Sequence, residues 1–206
     1  MHTQRLIAYA FATCLVSLSA GPAMAQNERG NPNALLKGTY RHMASGSGAS
    51  VPTTSSSELG FNPWPDLTAR GSGSAGDHTY FTGVITYDGM GHATETIQGI
   101  IIFTGGFGPG SFPLLTFEEN CDWTYVVNRD LSFSREGTCF GTTTGGRFAG
   151  SPYTFSGLKW VGQIGAGGSV LISYRVDPTM ETTLSNGFVT KGIGAAQGTE
   201  VRIPKR

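Results

Sequence analysis

Cys121-Asp122-Trp123-Thr124-Tyr125-Val126-Val127-Asn128-Arg129-Asp130-Leu131-Ser132-Phe133-Ser134-Arg135-Glu136-Gly137-Thr138-Cys139 is the stretch that decides the fold. Each half alternates large with small or polar residues, the period-2 pattern of a half-buried strand. Asn128-Arg129-Asp130 between them is turn chemistry. The stretch therefore predicts a β-hairpin with a cysteine at each end. If Cys121 faces Cys139, then Trp123 meets Gly137, Tyr125 meets Arg135 and Val127 meets Phe133. That register needs an odd-length loop or one bulge, and Gly137 is the expected bulge site. One face then carries Cys121, Trp123, Tyr125, Val127 and Phe133 toward a core. The other turns Asp122, Thr124, Ser134, Glu136 and Thr138 to water.

At the start of the chain, Arg5 precedes an apolar run over residues 6–18, and Ala23-Met24-Ala25 stands before Gln26. This is the pattern of a secretory signal peptide over residues 1–25, and it predicts a periplasmic or extracellular protein. Cys14 lies inside the apolar run and leaves with it, so Cys121 and Cys139 remain to form one disulfide. Loop-closure entropy makes such a bridge worth about 3 kcal/mol. Fourteen basic and fourteen acidic residues balance to a formal net charge of zero. That leaves no electrostatic footprint for nucleic acid or an anionic membrane. With 31 glycines and only 14% charged residues, the chain suits a turn-rich all-β protein and not a helical one.

Working outward, residues 26–34 read as a flexible leader and residues 35–194 as one β domain. Strands are expected at 38–44, 80–87, 92–103 and 114–117, then through the hairpin, and at 153–164, 169–177 and 180–194. Asp88-Gly89-Met90-Gly91 is a strong hairpin signal. Residues 45–78 read as a long Ser/Gly/Pro-rich loop. Within it, the aromatic island of residues 59–67, with Phe61 and Trp64, is expected to cover and gate an opening. Residues 195–206 read as a loose tail. The fold expected is an antiparallel up-and-down barrel of about eight strands, since closure removes exposed edges. A two-sheet sandwich is the alternative. In residues 170–175 the alternation predicts Val170, Ile172 and Tyr174 inside and Ser173 and Arg175 outside.

No catalytic constellation is apparent. His78 and His92 follow turn residues and are expected at the surface. His42 shares the inner face of Tyr40, either against a ligand or as a hydrogen-bonded core histidine. Arg135 falls on the face of Trp123 and Tyr125, where it either stacks on Tyr125 near a rim or meets an acidic ligand group. Glu118, Glu119 and Asp122 read as a solvated strand end. The candidate ligand residues are therefore Tyr40, His42, Trp64, Trp123, Tyr125, Arg135, Trp160 and Tyr174. No cofactor, metal, nucleic-acid partner or membrane span is expected.

Four motifs carry a resemblance. They are Leu36-Lys37-Gly38-Thr39-Tyr40, then Val84-Ile85-Thr86-Tyr87-Asp88-Gly89-Met90-Gly91, then Tyr125-Val126-Val127-Asn128-Arg129-Asp130. The fourth is Gly167-Gly168-Ser169-Val170-Leu171-Ile172, with Ser185-Asn186-Gly187 beyond it. In these the chain resembles a set of exported bacterial proteins of unassigned function with calycin-like barrels, the architecture of lipocalins, avidins and the allene oxide cyclase group. The resemblance implies a fold and supplies no catalytic residue. Three functions follow as expectations. The first is a secreted barrel that binds a small, largely apolar molecule. The others are a packed structural or adhesion module with a partner-binding loop, and a cofactor-free cyclase or isomerase.

Overall fold

The computed structural model describes residues 30–53, 60–61, 69–70, 75–103, 114–146, 149–175, 179–184 and 189–205. A 3-10 turn (Pro32–Leu36) precedes β1 (Gly38–Thr53), β2 (Gly60–Phe61), β3 (Ala69–Arg70), β4 (Ala75–Tyr87), β5 (His92–Phe103) and β6 (Leu114–Val127). There follow β7 (Ser132–Gly145), β8 (Pro152–Gly165), β9 (Val170–Arg175), β10 (Thr179–Leu184) and β11 (Val189–Arg202). Apart from the small β2–β3 pair, the strands join in the order β1-β4-β5-β6-β7-β8, then β9 and β10, then β11, which pairs back onto β1. β9 and β10 each lie between β8 and β11, at successive heights, so together they form one stave. The result is the expected closed antiparallel barrel of eight staves.

The cysteine hairpin takes the predicted register, with Cys121 opposite Cys139, Trp123 opposite Gly137, Tyr125 opposite Arg135 and Val127 opposite Phe133. The odd length is absorbed by the loop and not by a bulge at Gly137. Asn128 N–H donates to Ser132 O, Leu131 N–H donates to Asn128 O, and Leu131 takes φ 65°. A type I turn followed by one left-handed residue is a standard three-residue hairpin connection. The irregularity near Gly137 lies on its other side, where Gly137 pairs with Leu158 but Cys139 pairs with Phe155. The extra residue is on β8, at Gly157 with φ 76°. Because side chains alternate, one inserted residue switches faces. Tyr153 and Phe155 thus reach the core from one side of the bulge, and Leu158 and Trp160 from the other.

Three expectations fail. Strand β1 runs through residues 45–53, pairing with β4 and β11, so much of the proposed long loop is barrel wall. Small residues there (Ala44, Gly46, Gly48) can face the interior without filling it, which is why the stretch looks like a linker in sequence. The supposed loose tail, residues 195–202, is the closing strand: Tyr40 pairs with Arg202 and His42 with Glu200. And residues 31–34 of the supposed flexible leader are docked. Asn33 accepts from Val127 N–H at 2.8 Å, and Leu36 is fully buried.

That docking plugs one end of the barrel. Tyr125 OH donates to Asn33 O and accepts from Gly89 N–H. Tyr40 OH donates to Gly168 O at 2.6 Å and accepts from Arg202 Nε at 2.9 Å. Above this plug, Tyr40, Tyr87 and Tyr125 pack edge to face, with ring centroids 5.4 and 4.9 Å apart. The outer wall is mixed, with Glu118, Asp122, Glu136 and Lys159 exposed at mid-strand beside exposed Val84, Val126, Phe140 and Ile172. Among the described residues, no helix is long and apolar enough to cross a membrane.

Candidate functional site

Between the tyrosine plug and the far end of the barrel lies an ionic layer, and over it a cavity of about 100 Å³. The layer's two ion pairs come from inward positions on four strands. On β1 and β5, His42 and Glu95 meet at 2.5 Å, through Nδ1 and Oε1, with both side chains sealed from solvent. Trp123 Nε1–H on β6 donates to the other oxygen of Glu95 at 2.9 Å. Burial pushes the Glu95 carboxyl up, but His42, Arg135 and Trp123 outweigh it and hold the group below its ordinary value. Glu95 is therefore a carboxylate at neutral pH, and the His42 Nδ1–H is the donor.

Two glycines make this contact possible. The His42 ring leans over Gly198, where a Cβ would stand 2.6 Å from Nε2. At Gly83 a Cβ would meet the Thr96 carbonyl at 2.6 Å and Glu95 Oε1 at 3.4 Å.

The second pair crosses from β7 to β11. Arg135 Nη1 donates to Glu200 Oε1 at 2.6 Å and to Tyr87 OH at 2.8 Å, and Tyr87 OH donates to Glu200 Oε2 at 2.8 Å. The Arg135 guanidinium carbon lies 5.0 Å from the Trp123 ring centroid and 5.5 Å from that of Trp160. Its Nε and Nη2 have no hydrogen-bond partner among the described residues, and the indole faces supply the interaction instead. Burial would lower the Arg135 pKa, but Glu200, Tyr87 and Glu95 raise it well beyond the usual arginine value. Arg135 does not stack on Tyr125 near a rim, as one of its two readings from sequence had it. It is a fixed structural cation deep inside, with a protein carboxylate as counter-ion, and it stacks on tryptophans instead of Tyr125.

The cavity walls are apolar, formed by Phe81, Ile97, Ile101, Phe117, Phe155 and Leu158, with Gly46, Gly48 and Ala196 leaving the space. Asp77 and Arg175 stand at its edge. Burial raises the Asp77 pKa, against the pull of Thr79 and Arg175. Glu119 also lines the cavity, and Tyr153 OH donates to its Oε1 at 2.7 Å. Burial pushes the Glu119 carboxyl up to about 7, with the Glu95 charge adding to the rise. Tyr153 is raised too, first by burial and then by Glu119. The sulfurs of Cys121 and Cys139 lie within 4.8 Å of the Glu119 carboxylate. They are joined in the expected disulfide, so neither is a thiolate that could bind a metal.

Four of the sequence-derived candidates, His42, Trp123, Arg135 and Trp160, line the cavity. Tyr40 and Tyr125 are buried against the plug and do not line the cavity. Tyr174 is on the outer face and 55% exposed. Trp64 and most of the 59–67 island lie outside the described residues. His78 and His92 are exposed, as expected.

The sequence reading missed Glu95, Glu200 and the burial of Glu119. Glu95 could have been found from its inward parity between Ala93 and Ile97. Glu119 has the parity of Cys121 and Trp123, which its acidic neighbours obscured. Glu200 lay in the stretch read as a tail. No protein-family model and no curated protein matches the chain.

Proposed function

We propose that this is an exported, calycin-like β-barrel that binds a small, largely apolar molecule inside the barrel. The observation that carries the reading is the cavity of about 100 Å³ with apolar walls on an ionic floor. A barrel of eight strands has room for one small ligand, and few convergent polar groups in an apolar pocket are the usual form of such a site. Export is supported by the signal-like residues 1–25 and by the disulfide, which persists in oxidising compartments. The calycin-like assignment rests on the four motifs and on barrel geometry.

The test is to purify the protein from its native secreted fraction and identify co-eluting small molecules by mass spectrometry. A stoichiometric compound is expected from the wild type. None is expected from Ile97→Phe, which fills the cavity. A wild type that elutes empty, and whose thermal midpoint no small apolar probe raises, would leave the packed structural module.

One observation favours a second reading, a cofactor-free isomerase or cyclase. Glu119, with its pKa near neutrality, shares the cavity with the His42–Glu95 pair, and a carboxyl tuned toward 7 is suited to proton transfer. This reading expects the recovered ligand to exchange a carbon-bound hydrogen for deuterium with the wild type and not with Glu119→Gln.

A further inference from the structure

The ionic groups of the cavity pair off, with one left over. His42 is matched to Glu95 and Arg135 to Glu200. Arg175 on β9 exerts its pull on Asp77 from β4. Glu119 on β6 is the remaining carboxyl. It is 8% exposed, and its single hydrogen bond among the described residues comes from Tyr153 of β8, a neutral donor, to Oε1. Oε2 has no hydrogen-bond partner there and is not among the buried atoms closed off without one, and Glu119 is one of the residues lining the cavity. The charge of Glu95 acts on Glu119 and repels it. The charge the cavity lacks is positive. Its walls already hold a cation between aromatic faces, since Arg135 sits over Trp123 and Trp160.

We propose that the cavity takes a small organic amine, with its ammonium group held by Glu119 and its short apolar body against the aromatic and aliphatic walls. This rests on the binding reading above and names the chemical class of the ligand. The Glu119 carboxylate accepts from the ammonium through Oε2 while Tyr153 keeps its bond to Oε1. The walls that face the amine body are Phe81, Phe117, Phe155 and Leu158. An anionic ligand would meet the Glu119 carboxyl, while His42 and Arg135 each already have a carboxylate as ionic partner. At a volume of about 100 Å³, the body is smaller than benzene, which occupies engineered cavities of ~150 Å³. Below neutral pH the amine must displace the proton of Glu119, so its binding releases a proton and tightens as pH rises through the Glu119 titration.

The probes are n-butylamine, n-butanol and butyrate, titrated calorimetrically into the whole protein at pH 8 and at pH 6. At pH 8 the amine should bind about tenfold tighter than the alcohol, one buried ion pair's worth of discrimination. Glu119→Gln, which can still accept from Tyr153, should erase the amine's preference over the alcohol. At pH 6, repeating the titration in two buffers of different ionisation heat should reveal release of up to one proton per amine bound. That measurement needs only the wild type, so the idea stays testable if the variant does not fold. Butanol or butyrate binding as tightly as the amine, or amine binding without proton release, would overturn the amine assignment and leave the binding reading intact. If none of the three binds, the amine assignment falls, while the binding reading is decided by the co-purification test above.

Discussion

In the unfolded chain the Glu119 carboxyl ionises near 4.5, whereas in the fold it keeps its proton up to about 7. Between those values the folded state binds the extra proton, so rising pH erodes stability, by ~3 kcal/mol across the window. Glu95 acts in the opposite sense. Its folded pKa is lowered, so its contribution is present above the unfolded value and disappears as pH falls through the folded one. Urea titrations from about pH 4.5 to about pH 9.5 should show wild-type stability declining relative to Glu119→Gln, with the two curves parallel above about pH 8. Parallel curves throughout would mean that Glu119 ionises normally. At the other pair, Glu200→Gln strands the Arg135 charge in the interior, where an unmatched ion costs about 3–5 kcal/mol. Combining Arg135→Met with Glu200→Leu should restore most of that loss, because a well-packed apolar pair carries no desolvation penalty. An additive double variant would mean that the two residues do not depend on each other.

At the scale of the element, β9 is the most instructive, because its faces are the reverse of those expected. Leu171 and Ser173 are buried, at 0% and 1% exposure, while Ile172 and Tyr174 are 63% and 55% exposed. Leu171→Ala should therefore cost about 2–5 kcal/mol, and Ile172→Ala no more than about 0.5 kcal/mol, measured by thermal or urea unfolding. The reverse order would restore the original faces. Alternation read β6 and β7 correctly because only one of their faces is large and apolar. In β9 both faces carry a large apolar residue, Leu171 on one and Ile172 with Tyr174 on the other, so hydrophobicity gives no decision. What decides is the environment. The interior at this height is the ionic layer and the cavity edge, where Ser173 and Arg175 fit better than Ile172 and Tyr174. The bulge at Gly157 was likewise illegible, since it appears only as a change of parity between Phe155 and Leu158. Its effect on the site is large, because without the switch Tyr153 would not reach Glu119.

For the molecule as a whole, the hairpin signals and the lack of helical periodicity were enough to give an antiparallel barrel. The cavity was not readable in the same way. It exists because Gly46, Gly48 and Ala196 contribute almost nothing to the interior, and in sequence such residues look like linker. Elsewhere an inward glycine is covered by a neighbour's aromatic ring: Phe117 over Gly99, Trp123 over Gly137, Phe133 over Gly162. Emptiness and packing thus depend on what the adjacent strand brings, which a single strand's pattern does not contain. Closure by β11 can be tested directly. A chain ending before residue 189 would expose the edges of β1 and of the β9–β10 stave, and it should be recovered as soluble aggregate or inclusion bodies and not as a folded monomer. A folded monomer from that chain would mean that the seam is dispensable.

The seam between β1 and β11 also fixes when the protein can fold. Tyr40 and Arg202, which meet there, are separated by 162 residues. During synthesis β1 has no partner on that side until residues 189–202 have been made. The seven earlier staves must wait as a curled ribbon with open borders, vulnerable to pairing with any other extended chain nearby. Contacts this remote in sequence slow folding toward the millisecond-to-second range of β-barrels. Barrel closure therefore waits on β11, and anything that stalls that strand leaves the cavity without one of its walls.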